Sequence, residues 1–130
     1  MKIIEVGCAI IVHEEKILIA QRKAGSYYGG WWEFPGGKIE PGETMEECLV
    51  REVREELAVE IRPRKLIRKT PHTYPEREVM LHFYLCDFIS GTPARIECDD
   101  FRWIEPKEFT AFQMLPADKD IIQDLMNGNF

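Results

Sequence analysis

From Ile3 to Val12 the chain is mostly apolar and β-branched, which predicts a buried strand. The pattern returns at Lys16 to Gln21, across His13-Glu14-Glu15, so the two segments are expected to pair as a hairpin. Gly25 to Gly30 reads as a loop containing glycine and tyrosine, and Trp31 to Phe34 as a short strand ending at Pro35. The period then changes. Met45, Leu49, Val53 and Leu57 form the apolar stripe of an amphipathic helix, and Thr44 with Glu47 three residues on supplies its N-cap. Val59 to Thr70 predicts a strand, Pro71 to Pro75 a turn region, and Val79 to Ile89 a long apolar strand broken by Gly91 and Pro93. Phe101 to Ile104 adds a strand, Pro106-Lys107-Glu108 a helical turn, and Pro116 to Met126 a final helix. Repeats, low-complexity runs and linkers are missing, so residues 1–130 are expected to form one α/β (α+β) domain, a mixed sheet with helices packed on it.

Composition narrows the partners. With 130 residues, 45% of them hydrophobic, there is room for one core. A net charge of −6 argues against polymeric nucleic acid, whose phosphate backbone calls for a basic surface. It does not argue against a small nucleotide, whose charge a metal ion can neutralise. Cys8, Cys48, Cys86 and Cys98 form no C-x-x-C pair or zinc-like spacing and read as reduced, partly buried thiols of a cytosolic protein. Val6-Gly7-Cys8 faintly imitates a lipoprotein cleavage site, but Glu5 interrupts the apolar run before it. No run is long enough for a signal peptide or membrane span, so the expectation is a cytoplasmic protein without a membrane partner, a monomer or weak homodimer.

The helix carries the chemistry. Glu52, Glu55 and Glu56 fall within roughly 100° of helical arc. Carboxylates so close repel one another unless a cation sits among them, and hard oxygen ligands on a rigid helix suit Mg²⁺ or Mn²⁺. An exposed acidic face is the plainer alternative. However, Glu56 overlaps the apolar stripe and is expected at the edge of the core, where an unpaired charge is costly. Gly36, Gly37 and Gly42 precede the helix and would let backbone approach a metal closely.

The spacing resembles the Nudix box: Gly37, Glu43, Arg51, Glu52, Val53, Glu55, Glu56 and Val59 all match, and only the late glycine departs, as Ala58. A residue there usually closes the helix in the left-handed conformation, where alanine costs about 1 kcal/mol. The resemblance implies an α/β/α sandwich. Trp32-Glu33-Phe34-Pro35-Gly36-Gly37-Lys38 extends it to MutT-like enzymes, which use metal-activated water to split nucleoside triphosphates into a monophosphate and pyrophosphate. It implies metal ligation by the Gly37 carbonyl, Glu52, Glu55, Glu56 and Glu97, with Asp99 and Asp100 as rivals of Glu97. Glu52 is the first choice as general base and Glu97 the second. Glu43 stands at the helix entrance, and Arg51 is expected to orient a box glutamate through a bidentate pair. Arg22, Lys23, Lys38 and Arg77 are the candidates for the triphosphate, each weighed against a solvated surface cation, with Arg22 and Arg77 leading.

For the base, Phe34 and Tyr74 offer flat apolar faces, with core packing the alternative for both. Asp118, in Met114-Leu115-Pro116-Ala117-Asp118, stands where MutT-like enzymes read the base edge. An ionised aspartate accepts but cannot donate, which suits the N7–H of 8-oxoguanine or the amino group of cytosine. Asp118 could equally cap the last helix. The resemblance therefore implies an Mg²⁺-dependent pyrophosphohydrolase that favours 8-oxo-dGTP or a related nucleotide, a role in nucleotide-pool sanitation and DNA repair. A CTP or dCTP pyrophosphohydrolase stands second, and a non-catalytic nucleotide sensor is the alternative from another class.

Overall fold

The computed structural model describes residues 2–130. Its centre is a mixed sheet built on β1 (Ile3–His13), β2 (Lys16–Gln21), β3 (Trp32–Glu33), β4 (Gly36–Lys38), β5 (Glu60–Tyr74), β6 (Arg77–Ser90) and β7 (Asp100–Ile104). The order β3-β2-β1-β6-β5 is extended by β4 on β1 and β7 on β2. The β1–β6 pairing is parallel, and the other strand pairings are antiparallel.

Alternation along β1 and β2 sorts the core into two halves, because successive side chains of a strand face opposite ways. Ile10, Ile17 and Ile19 join Phe83, Phe109, Ile121 and Leu125 on one face, under a 3₁₀ turn (Pro106–Ala111) and α2 (Lys119–Met126). Ala9, Ile11 and Leu18 meet Leu49, Val53 and Leu57 of α1 (Met45–Leu57) on the other. This is the expected α/β/α layering. All four cysteines are buried and unpaired.

The helix bearing the glutamates starts as expected. Thr44 Oγ1 accepts from the Glu47 amide, and the Glu47 carboxylate accepts from the Thr44 amide. At its other end Ala58 sits in the left-handed region, φ 59° and ψ 34°, and its amide still donates to the Arg54 carbonyl. The helix is closed at a steric cost that glycine would not incur. Ala58→Gly is accordingly expected to stabilise the protein by about 1 kcal/mol in urea unfolding, with an unchanged m-value.

Three boundaries differ from the sequence pattern. β5 runs through Pro71 to Tyr74, where a turn was expected, and reverses only at Pro75-Glu76. It is an edge strand, so its prolines can leave their missing N–H on the unpaired side. The glycine turn before the helix is itself a strand, β4, pairing Gly36 with Cys8 and Gly37 with Gly7. A Cβ on Gly36 would collide with the Gly7 carbonyl, so glycine is what permits this pairing. The last helix begins at Lys119, after a 3₁₀ turn at Pro116–Asp118.

Candidate active site

β1 changes partner along its length, from β4 at Val6–Cys8 to β2 at Val12–His13. Near this change of partner a cavity of about 330 Å³ opens, bordered by Cys8, Gly36 and Gly37. Helix α1 lies beside β4, and its glutamates divide into two groups.

The first group gathers on Arg51. Its guanidinium donates two bonds to Glu43, at 2.7 and 3.0 Å, one to Glu52 at 2.7 Å and one to Glu55 at 3.3 Å. A further bond reaches the Lys38 carbonyl at 3.3 Å. The bidentate partner is thus Glu43. Hydrogen bonds from Arg51, then from the Glu40 amide, hold the Glu43 carboxyl down at about 2. Because this pKa lies below the ordinary value of 4.5, the stabilisation is complete above that value and is lost as pH falls towards 2. Glu43→Gln should therefore melt below wild type at neutral pH, with the gap in Tm closing on acidification. A pH series of thermal melts checks this.

Glu56 is in the opposite situation. Burial pushes its carboxyl up to about 10, helped by a hydrogen bond to Glu52 and by the charges of Glu33, Glu52 and Glu97. It reaches the cavity wall together with Glu97, whose backbone amide donates to the Glu56 carbonyl at 3.2 Å. The rivals of Glu97 are engaged elsewhere: Asp99 accepts from the Ala24 amide, and Asp100 accepts from the Phe101 amide and Arg102. Glu52 lies against Gly37, where a Cβ would clash with its carboxylate.

Among the described residues no three His, Cys, Asp or Glu side chains form a ready coordination shell. Glu52 and Glu55 turn to Arg51, and Glu55 is half exposed. The donor set nevertheless fits a hard divalent cation. Glu52, Glu56, Glu97 and the Gly37 carbonyl supply oxygen only, and a divalent ion would offset the burial and neighbouring charges that push the Glu56 carboxyl up.

The remaining walls carry cationic, aromatic and acidic groups. Arg22 lines the cavity but is tied by 2.8 Å to Glu33 and by 2.7 Å to the Tyr27 carbonyl. Arg77 lies 5.8 Å from the Tyr74 ring centroid and has no side-chain ion pair among the described residues. Lys23 and Lys38 are exposed and do not border the cavity. Phe34 is both wall and core, packed edge-on against Phe83 and Phe109.

Asp118 is 4% exposed and borders the cavity, and its side chain makes no capping bond among the described residues. Burial, then the charge of Glu33, raises its carboxyl well above the ordinary range. The shift favours the protonated carboxyl, which can donate as well as accept, over the acceptor-only ionised form expected from sequence. Sequence reasoning gave no role to Glu33, Tyr27 or Tyr28, which also line the cavity. An acid set between Trp32 and Phe34 was the available signal for Glu33.

A mixed sheet between helical layers, with a capped acidic helix beside a glycine strand, defines the class. A family model described as "NUDIX domain" matches residues 1–125, so the chain belongs to the Nudix family, hydrolases acting on phosphoric anhydrides. It is 38% identical over 126 residues to the CTP pyrophosphohydrolase of Escherichia coli (strain K12), covering 97% of this chain and 93% of that protein. It is 35% identical over 127 residues to the 8-oxo-dGTP diphosphatase of Haemophilus influenzae, again covering 97% and 93%. Among solved structures, the solution structure of the E. coli ORF135 protein superposes with a TM-score of 0.86 at 39% identity, over 98% of this chain and 91% of that one. No helix among the described residues is long and apolar enough to cross a membrane.

Proposed function

We propose that the protein hydrolyses (deoxy)nucleoside triphosphates to a nucleoside monophosphate and pyrophosphate, with Mg²⁺ or Mn²⁺ and with 8-oxo-dGTP or a related nucleotide favoured. The observation that carries this reading is the composition of one cavity. It joins Glu56 and Glu97, fit for a divalent ion, to Arg22 and Arg77 and to the buried Asp118. Glu52, Glu55, Glu56, Glu97 and the Gly37 carbonyl would hold the metal, which lowers the pKa of the attacking water and neutralises charge on the leaving group. Glu52 acts as the general base, with Glu97 second. Arg51 keeps Glu43, Glu52 and Glu55 in place rather than touching substrate, since its guanidinium is taken up by these carboxylates. Arg77 is the cation free to meet phosphate. Phe34 and Tyr74 supply apolar faces for the base, and Asp118 its edge contact.

A CTP or dCTP substrate is the second reading, supported by the identity to the E. coli CTP pyrophosphohydrolase. A neutral carboxyl can serve either base: it matches the O6/N7–H pair of 8-oxoguanine and the N3/N4–H pair of cytosine. A non-catalytic sensor is less well supported, because Glu43, Glu52, Glu55 and Glu56 are all retained.

Two measurements test the proposal. A panel of 8-oxo-dGTP, dGTP, CTP and dCTP, compared by kcat/KM with Mg²⁺, names the base. Hydrolysis in ¹⁸O-water should place the label in pyrophosphate, as attack at the β-phosphorus requires. Orthophosphate as the initial product would overturn the reaction, and loss of turnover in EDTA with recovery on adding Mg²⁺ is expected.

A further inference from the structure

The loop from Arg22 to Trp31 brings Tyr27 and Tyr28 to the cavity, yet little of it is buried. Tyr27 is 58% exposed, and Tyr28 adopts a left-handed conformation at φ 57°. A tyrosine persists there only where its surroundings hold it. The stem closes on itself through Arg22 to Trp31 and Gly30 to Arg22 backbone bonds, and the Arg22 side chain grips the Tyr27 carbonyl. One tether comes from a distant part of the chain: the Ala24 amide donates to Asp99 Oδ2 at 2.8 Å, across 75 residues. Asp99 is itself fixed, its own amide donating to the Gln21 carbonyl at 3.0 Å. Two residues earlier, Glu97 is anchored by its bond to the Glu56 carbonyl. The Asp99 segment is thus a firm post, and the loop hangs from it. The far edge of Tyr27 rests on Tyr74, ring centroids 5.9 Å apart, so the loop completes a tyrosine wall across the cavity.

We propose that Asp99 is a positioning residue, latching the Arg22–Trp31 loop to the Glu97 segment so that Tyr27 and Tyr28 stand as one wall of the substrate site. The functional half rests on the nucleotide reading above, whereas the latch itself does not. The latch requires an acceptor at position 99, not a charge, which separates it from a metal-ligand role for Asp99.

Hydrogen exchange and steady-state kinetics on Asp99→Ala and Asp99→Asn test it. In Asp99→Ala the amides of residues 24–30 should exchange ~5-fold faster or more, the loss of one exposed hydrogen bond. KM for the preferred nucleotide should rise ~5-fold while kcat changes less than ~2-fold, because Glu97 keeps its own anchor. Asp99→Asn retains a side-chain oxygen and should restore both readouts to within ~2-fold of wild type. Unchanged exchange in Asp99→Ala would sink the latch, and faster exchange with unaltered KM would sink the positioning role. Equal damage from Asn and Ala would point to the charge and overturn the proposal. If the wild-type protein turned over none of the four nucleotides, the proposed function would fall, and exchange alone would still decide the latch.

Discussion

Glu52→Gln is expected to lower kcat at least ~10²-fold in the presence of Mg²⁺, whether the carboxylate acts as base, as ligand or as both. The structure says why so small a change should matter. Glu52 lies between Arg51, which donates to it at 2.7 Å, and Glu56, with which it shares a hydrogen bond, and it rests on Gly37. Glutamine keeps an oxygen for Arg51 but removes the charge that a divalent ion and a proton-accepting role both need. Folding should survive, because the substitution takes one carboxylate from a group of neighbours that repel one another. A melting temperature within a few degrees of wild type, with turnover reduced, is the expected pair of results. Full turnover in the variant would remove Glu52 from the catalytic set. The same loss produced by unfolding would show in the melt.

Much of this site could be read along the chain, and the parts that could not share a cause. Helix α1 was legible because its cap and its stripe are local: Thr44 with Glu47, then Met45, Leu49, Val53 and Leu57. The strain at Ala58 was legible for the same reason. The repulsion among Glu52, Glu55 and Glu56 was also foreseeable, but its resolution was not. The structure shows Arg51 gathering Glu52 and Glu55, while burial that no spacing reveals pushes the Glu56 carboxyl up. β5 crosses Pro71 because it lies at a sheet edge, and edge position belongs to topology. Of the four cations weighed for phosphate, Arg22 and Arg77 reach the cavity. Lys23 and Lys38 fall outside because the loop and β4 point them to solvent. Glu33 and Asp118, 85 positions apart in sequence, meet only through tertiary packing, and the charge of Glu33 adds to the burial that favours the protonated state of Asp118.

That protonation state gives the second large effect. Asp118→Ala should cost ~10- to 100-fold in kcat/KM for the preferred nucleotide, because a buried partner of the base edge is deleted and the base is left unpaired. Asp118→Asn should behave differently. An amide offers a donor and an acceptor, as the neutral carboxyl does, so activity on the acidic side of the Asp118 titration should stay within ~3-fold of wild type. The two proteins should separate on the alkaline side. The Asp118 carboxyl is raised by burial and by Glu33, with Cys8 and Tyr74 beside it and Arg22 and Arg77 on the same cavity. A raised pKa keeps the proton through the ordinary carboxylate range and releases it only as pH climbs through the elevated value. Wild-type kcat/KM should then fall as the donor is lost and an uncompensated charge appears in a buried site. Asparagine cannot ionise, so its profile should lack that limb. Parallel pH profiles of kcat/KM for wild type, Asp118→Asn and Asp118→Ala decide the matter. An alkaline limb shared unchanged by the asparagine variant would assign the titration to another group, with the raised carboxyl of Glu33 next in line. Indifference of the alanine variant towards all four nucleotides would take Asp118 out of base recognition altogether.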